Sequence, residues 1–173
     1  MNLDQRCEAV EIILSDVDGV LTDGRLVFDN QGIETKQFHV RDGLGIRLWQ
    51  KAGYPFGLVT VRSSQIVRSR AAELDIDIVR QGADDKLSTV QQILDEVGLG
   101  LAQACYLGDD LPDVPVIRAV GLGVAVADAP DEVRAAAAYV TRAPGGRGAA
   151  RETIELILMA QRRWSDLIQP YLT

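Results

Sequence analysis

Short apolar runs alternate with amphipathic stretches along most of the chain. Runs at Ile12–Ser15, Phe56–Thr60, Ile76–Val79, Ala104–Leu107, Gly123–Val126 and Tyr139–Thr141 predict strands. Between them, apolar positions recur at helical spacing. Ser64–Leu74 places Val67, Ala71 and Leu74 on one face, and Lys86–Val97 does the same with Leu87, Val90, Leu94 and Val97. The segment from Ala149 to about Arg163 carries Ile154 and Leu158 with further apolar neighbours and predicts a terminal helix. Near-continuous apolar strands separated by such helices predict the α/β class, a doubly wound parallel sheet covered on both faces. Folds of this class bind ligands at the carboxyl ends of their strands.

One segment departs from this rhythm. Arg25–Asn30 and Ile33–Val40 predict two strands around an Asn30-Gln31-Gly32 turn, a β-hairpin inserted after the first strand at about residues 24–41. It is too small to stand as a domain, so one domain is expected over residues 1–173. Its apolar positions, Leu26, Phe28, Ile33, Phe38 and Val40, would be partly exposed in a monomer, and marginal hairpins of this kind seek partners. Trp49, at helical spacing from Ile46, is expected in the core.

Composition narrows the function. The chain is 47% hydrophobic and 25% charged, ordinary for a globular protein with one core. A net charge of −7 argues against nucleic acid, which demands a basic stripe. It leaves phosphorylated small molecules open, because a metal and a few local cations neutralise one phosphate. Cys7 and Cys105 are far apart without ligand spacing, and Cys105 lies in the apolar run ACYLG, as a buried thiol does. The N-terminal MNLDQRCEAVE carries acids and no long apolar stretch, and no segment approaches the roughly 20 apolar residues of a membrane span. A cytoplasmic protein without membrane or nucleic-acid partners is expected.

The first predicted strand runs into Asp16-Val17-Asp18-Gly19. Residues two apart on a strand point the same way, so both carboxylates face the ligand crevice. One can attack phosphorus and form an acyl phosphate, while the other protonates the leaving oxygen and then activates water. An Asp-x-Asp alone is equally a solvated acidic turn, so its neighbours decide. Thr60 ends the second core strand, where a hydroxyl can donate to phosphate, and Lys86 opens a helix, where an ammonium meets the same anion. The run Ala104–Leu107 then opens into Gly108-Asp109-Asp110-Leu111-Pro112-Asp113. Three carboxylates in so short a loop repel one another unless a hard cation sits among them, and magnesium prefers such oxygen ligands.

This constellation resembles the haloacid dehalogenase superfamily, with DVDGVLTDG as first motif, Thr60 as second, Lys86 as third and GDDLPD as fourth. The resemblance implies a nucleophile at Asp16 and an acid/base at Asp18. It also implies Mg²⁺ held by Asp16, the backbone carbonyl of Asp18 and Asp109, with Asp110 and Asp113 steadying the metal shell. The segments GRLVFDNQGIETKQFHVRDGLGI, QGADDKL and AVADAPDEV…YVTRAPGGRGAARE narrow the match over about residues 10–161. There the chain resembles the 3-deoxy-D-manno-octulosonate 8-phosphate phosphatases. That family implies a Rossmann-like core without a cap domain and hairpins that assemble a homotetramer in which neighbouring subunits complete each site. It further implies a place in lipopolysaccharide sugar biosynthesis. Besides Asp18 and Lys86, its substrate contacts fall on His39, Arg41, Asp42, Gly43, Arg47, Arg62 and Arg70, where guanidinium groups suit a sugar-acid carboxylate.

Two positions depart from the family pattern. Val61 stands where glycine is usual, and a β-branched residue would be strained there if φ had to be positive. His39, the only histidine, replaces a common asparagine; it either contacts the sugar or stands exposed on a strand. Two other readings remain at this point. A sister phosphatase of nine-carbon sialic-type sugar acid 9-phosphates tends to carry glutamate where Arg62 stands. A catalytically weak oligomerisation module partnering a cytidylyltransferase would have lost an aspartate or the lysine, and all are present.

Overall fold

The apolar runs become the strands of one parallel sheet because helices cover both of its faces. The computed structural model describes residues 1–172. Helix α1 (Leu3–Glu8) leads into β1 (Ile12–Ser15), followed by the hairpin strands β2 (Val27–Phe28) and β3 (Glu34–Thr35). Helix α2 (Val40–Lys51), β4 (Phe56–Thr60), α3 (Gln65–Glu73), β5 (Ile78–Gln81), α4 (Lys86–Val97) and β6 (Ala104–Gly108) come next. The chain closes with α5 (Val114–Ala119), β7 (Leu122–Ala125), α6 (Asp131–Ala136), β8 (Tyr139–Val140), α7 (Ala149–Ala160) and α8 (Trp164–Ile168). The sheet order is β5-β4-β1-β6-β7-β8, with every pairing parallel. Chain order reverses at β1, which lies between β4 and β6, so the ligand crevice opens at its carboxyl end.

Most boundaries follow local chemistry. Ser64 caps α3 by accepting from the Ile66 amide at 3.2 Å, and Asp85 caps α4 by accepting from Ser88 at 3.0 Å. Gly98, left-handed at φ 71°, ends α4 where the apolar pattern stops. Strand β5 starts two residues later than its apolar run. The Ile76 amide closes α3 by donating to the Ala71 carbonyl, and Asp75 takes φ 53° to make that turn. Trp49 is fully buried, with its indole nitrogen donating to the Pro55 carbonyl and its ring stacked on Tyr54 at 4.6 Å. Both cysteines are buried free thiols.

The hairpin is shorter than its pattern predicts, with only Val27 opposite Thr35 and Phe28 opposite Glu34. Its turn is built by Asp29, whose side chain accepts from the amides of Gln31 and Ile33. Val40 opens α2 instead of ending a strand, and Phe38 packs against the core while the other hairpin apolar residues stay exposed. The expected terminal helix stops at Ala160, and Arg162 adopts φ 57° before α8 begins. Arg162 is exposed as expected, whereas Arg163 turns back to lie over the Tyr54 ring at 5.1 Å. Among the described residues, no helix is long and apolar enough to cross a membrane.

Candidate active site

Asp16 extends β1 by one residue, its amide donating to the Leu107 carbonyl at 2.9 Å. The buried carboxylate therefore emerges between β4 and β6. One of its oxygens accepts from the Val17 amide at 2.6 Å and the other pairs with Lys86. Gly19 then turns the chain at φ 90°, and a Cβ there would overlap the Asp109 carboxylate. The glycine thus supplies both a left-handed turn and the space in which the two acidic loops meet.

Lys86, the first residue of α4, is buried and lies between Asp16 and Asp113, 2.6 Å from the latter. Burial alone would lower its pKa, but Asp16 and Asp113 outweigh that and hold it above the ordinary lysine value. Asp113 has all its acceptor capacity in use. One oxygen takes Lys86 and the Tyr106 hydroxyl at 2.7 Å, the other the backbone amides of Asp109 and Asp110 at 2.9 and 3.2 Å. Asp113 therefore anchors the loop and the lysine. Asp110 accepts from the Leu111 amide at 2.8 Å and is exposed.

The oxygens of Asp16, Asp109 and Asp113 come within 4.8 Å of one another. Burial first, then Asp113, push Asp16 up to about 6; burial first, then Asp16 and Asp113, push Asp109 up to about 8. Fully ionised, the three carboxylates against the single ammonium of Lys86 would leave two negative charges in a buried pocket. A divalent cation matches that charge and the hard oxygen donors, and it would keep all three ionised at neutral pH. The residues fit such an ion, with Asp16 and Asp109 as the carboxylates whose oxygens are least occupied.

Asp18 lies at the rim of this pocket. Its Oδ1 pairs with Lys36 of the hairpin, and its buried Oδ2 lacks a hydrogen-bond partner among the described residues. Arg62, just beyond β4, places Nε 3.8 Å from that oxygen and donates through Nη2 to Glu34 at 2.7 Å. Glu34 also lies 3.4 Å from Lys36. Neither Lys36 nor Glu34 stands out in the sequence, because charged residues are ordinary in a hairpin expected to be partly exposed. The available signal is their spacing of two, which puts opposite charges on one face. Thr60 is buried at the end of β4. Val61 is half-exposed and is not left-handed, since Asp75 and Arg162 are the non-glycine residues with positive φ among those described; valine is accommodated without strain.

The expected sugar contacts divide into groups. His39 borders a cavity of about 270 Å³ with Asp23, Gln37, Phe38, Gly146 and Arg147. Arg41 lies with His39, Arg142 and Arg147 on a neighbouring groove. Arg70 lies over the Phe38 ring at 5.6 Å, pairs with Glu73, and packs on Gly43, where a Cβ would press on its guanidinium at 2.6 Å. The Asp42 carboxylate is turned to the start of α7, accepting from the amides of Arg151 at 2.7 Å and Gly148 at 3.3 Å. Arg47 binds Asp75 and the Glu73 carbonyl, beside the amino ends of β4 and β5, at the end of the sheet opposite the carboxylates. Within one chain, then, Arg62 reaches the acidic pocket directly and Arg47 does not.

The glycine-rich segment before α7 also serves the site. Gly146 donates to the Val20 carbonyl at 2.8 Å, Gly145 donates to Asp128, and a Cβ on Gly145 would overlap the Gly19 carbonyl. This loop backs the turn after Asp18.

The haloacid dehalogenase-like hydrolase family matches residues 64–151. The 3-deoxy-D-manno-octulosonate 8-phosphate phosphatase of Yersinia pestis is 44% identical over 91% of this chain and 84% of its own. The enzyme of that name from Haemophilus influenzae is 40% identical over 98% and 96%. The crystal structure of the Moraxella catarrhalis phosphatase, in complex with magnesium, phosphate and KDO, superimposes with a TM-score of 0.95 at 39% identity, covering 97% of both chains. With this sheet, this cluster of acids and this extent of likeness, the chain belongs to the 3-deoxy-D-manno-octulosonate 8-phosphate phosphatase family of haloacid dehalogenase-like hydrolases.

Proposed function

We propose that the protein hydrolyses 3-deoxy-D-manno-octulosonate 8-phosphate to the free sugar acid and phosphate through an aspartyl phosphate on Asp16. The observation that carries this reading is the meeting of Asp16, Lys86, Asp109 and Asp113 at the end of β1, followed two residues on by an Asp18 oxygen that has no hydrogen-bond partner among the described residues. Magnesium, held by Asp16, Asp109 and the Asp18 carbonyl, would supply charge neutralisation for the phosphoryl oxygens. Asp16 attacks phosphorus while Lys86, fixed by Asp113, faces the same phosphoryl group. Asp18 protonates the departing sugar oxygen and then takes a proton from the water that cleaves the acyl phosphate. Thr60 donates to the phosphate from the end of β4, and Asp110 and Asp113 hold the loop that carries Asp109.

Arg62 would grip the carboxylate of the sugar acid, with His39, Arg41, Asp42, Gly43, Arg47 and Arg70 as the wider contact set. The single domain, residues 1–173 with its hairpin insertion, works in the cytoplasm as a homotetramer. Supporting this, Leu26, Val27, Phe28 and Ile33 are each at least 50% exposed on the hairpin, an apolar surface that a second copy would cover. In such an assembly, residues remote from their own pocket, Arg47 among them, could serve a neighbour's. Phosphate release from a panel of sugar phosphates with magnesium tests the reading. Preference for the eight-carbon 8-phosphate supports it; preference for a nine-carbon 9-phosphate, or no turnover of any member, overturns it.

A further inference from the structure

The hairpin does more in this fold than offer an apolar surface. Lys36, Asp18, Arg62 and Glu34 form a closed ring of alternating charge. Lys36 pairs with Asp18 Oδ1 and lies 3.4 Å from Glu34, while Arg62 binds Glu34 at 2.7 Å and lies 3.8 Å from Asp18 Oδ2. The Lys36 side chain is only 1% exposed, although it comes from a hairpin whose apolar residues face solvent. A lysine ammonium is buried only where it is paired, and this one is paired to the proposed acid/base of its own chain.

We propose that Lys36 is a positioning residue for the general acid, fixing which oxygen of Asp18 delivers the proton. An ammonium has donors and no acceptor, so the Asp18 oxygen it holds must remain an acceptor. That leaves Oδ2, which has no hydrogen-bond partner among the described residues and lies nearer Arg62, as the oxygen from which a proton can pass to the leaving group. In the first step a bond forms between an Asp16 oxygen and phosphorus, and the bond from phosphorus to the sugar oxygen breaks. The electron pair stays on that oxygen, which takes the proton from Asp18 Oδ2. Glu34 supports the arrangement by holding Lys36 and Arg62 together despite their like charge. The hairpin thereby links assembly to chemistry, because whatever orders it also orients Asp18. This inference rests on the proposed role of Asp18 as acid/base.

Protonation matters for a poor leaving group and little for a good one, so the test varies the leaving group. Wild type, Lys36→Met, Lys36→Arg and Asp18→Asn are assayed with magnesium on the 8-phosphate, an alkyl ester, and on p-nitrophenyl phosphate. The quantity compared is kcat/KM, which covers only the steps up to the acyl phosphate and so excludes its later hydrolysis. General acid catalysis contributes about 10²–10⁴-fold. The expected loss for Lys36→Met is therefore at least about tenfold larger on the alkyl ester than on the aryl ester, with partial recovery in Lys36→Arg. Equal losses on both esters make Lys36 a phosphate contact or a scaffold residue, and no loss on either makes the pairing idle; both overturn the inference. Asp18→Asn separates the two levels. If it discriminates between the esters and Lys36→Met does not, only the role of Lys36 fails. If Asp18→Asn loses both equally, the assignment of Asp18 fails and the inference falls with it.

Discussion

Binding of a divalent cation to this pocket should release about one proton at neutral pH, and that number follows from the two perturbed carboxylates. Without a cation, Asp109 is pushed up to about 8 and Asp16 to about 6, in each case by burial first and neighbouring carboxylates second. At pH 7 the first is therefore mostly protonated and the second mostly ionised, and because the two face each other the proton belongs to the pair. A cation held by both requires both ionised, so about one proton departs on binding. The sign for stability follows from the same values. A carboxylate whose native pKa lies above its unfolded value binds more protons folded than unfolded across the intervening range. For Asp109 that range runs from 3.8 to about 8, so the cation-free protein should lose stability as pH rises through it. Saturating magnesium should remove that loss. The assay is titration calorimetry of metal-free protein with MgCl2 at pH 6, 7 and 8, in buffers of different ionisation enthalpy, with Asp109→Asn as control. Apparent affinity should rise about tenfold per pH unit near pH 7 and level off above about pH 9. No proton release, or an affinity independent of pH between 6 and 8, would refute the cation site as described.

Asp16→Asn should lower phosphatase turnover at least about a hundredfold while leaving the circular-dichroism melt in place, and a smaller loss would exclude covalent catalysis by this residue. Arg62→Glu adds repulsion where an attraction to the substrate carboxylate is proposed. It should cost the eight-carbon substrate far more than p-nitrophenyl phosphate in paired kcat/KM measurements; equal losses would place Arg62 on the phosphate or in the fold. Asp42→Ala removes the acceptor for the amides of Gly148 and Arg151, so urea unfolding should show a loss of about 2 kcal/mol, whereas an unchanged midpoint would mean that α7 needs no such cap. Calcium in place of magnesium should inhibit, since its larger and looser shell spoils in-line geometry, and full turnover with calcium would contradict that.

The parallel sheet was legible because its strands are buried on both faces, so runs such as Ile12–Ser15 and Ala104–Leu107 are apolar without alternation. The acids were legible because they follow those runs directly, at the strand ends where this topology gathers ligands. Short helices were not: α1, α5 and α6 have six residues each, too few for a helical period to repeat. The start of α2 was hidden by Val40, a β-branched residue continuing an alternating pattern. Asp42 entered the contact set through the resemblance alone, and only the chain's return at α7, more than a hundred residues later, gives its carboxylate two backbone amides. The same holds for Lys36 and Glu34. Their charges are ordinary on an exposed strand, and it is the fold of the hairpin over β1 and β4 that brings them to Asp18 and Arg62.

The central claim is that Asp16 carries the phosphoryl group during turnover. Magnesium-loaded protein mixed with 3-deoxy-D-manno-octulosonate 8-phosphate, quenched in acid within milliseconds and reduced with borohydride, converts an aspartyl phosphate into homoserine that peptide mass spectrometry can locate. Homoserine at position 16, absent when a chelator is added first and absent in Asp16→Asn, is the predicted result. Turnover without any reduced residue, or a reduced residue elsewhere in the chain, would contradict the account.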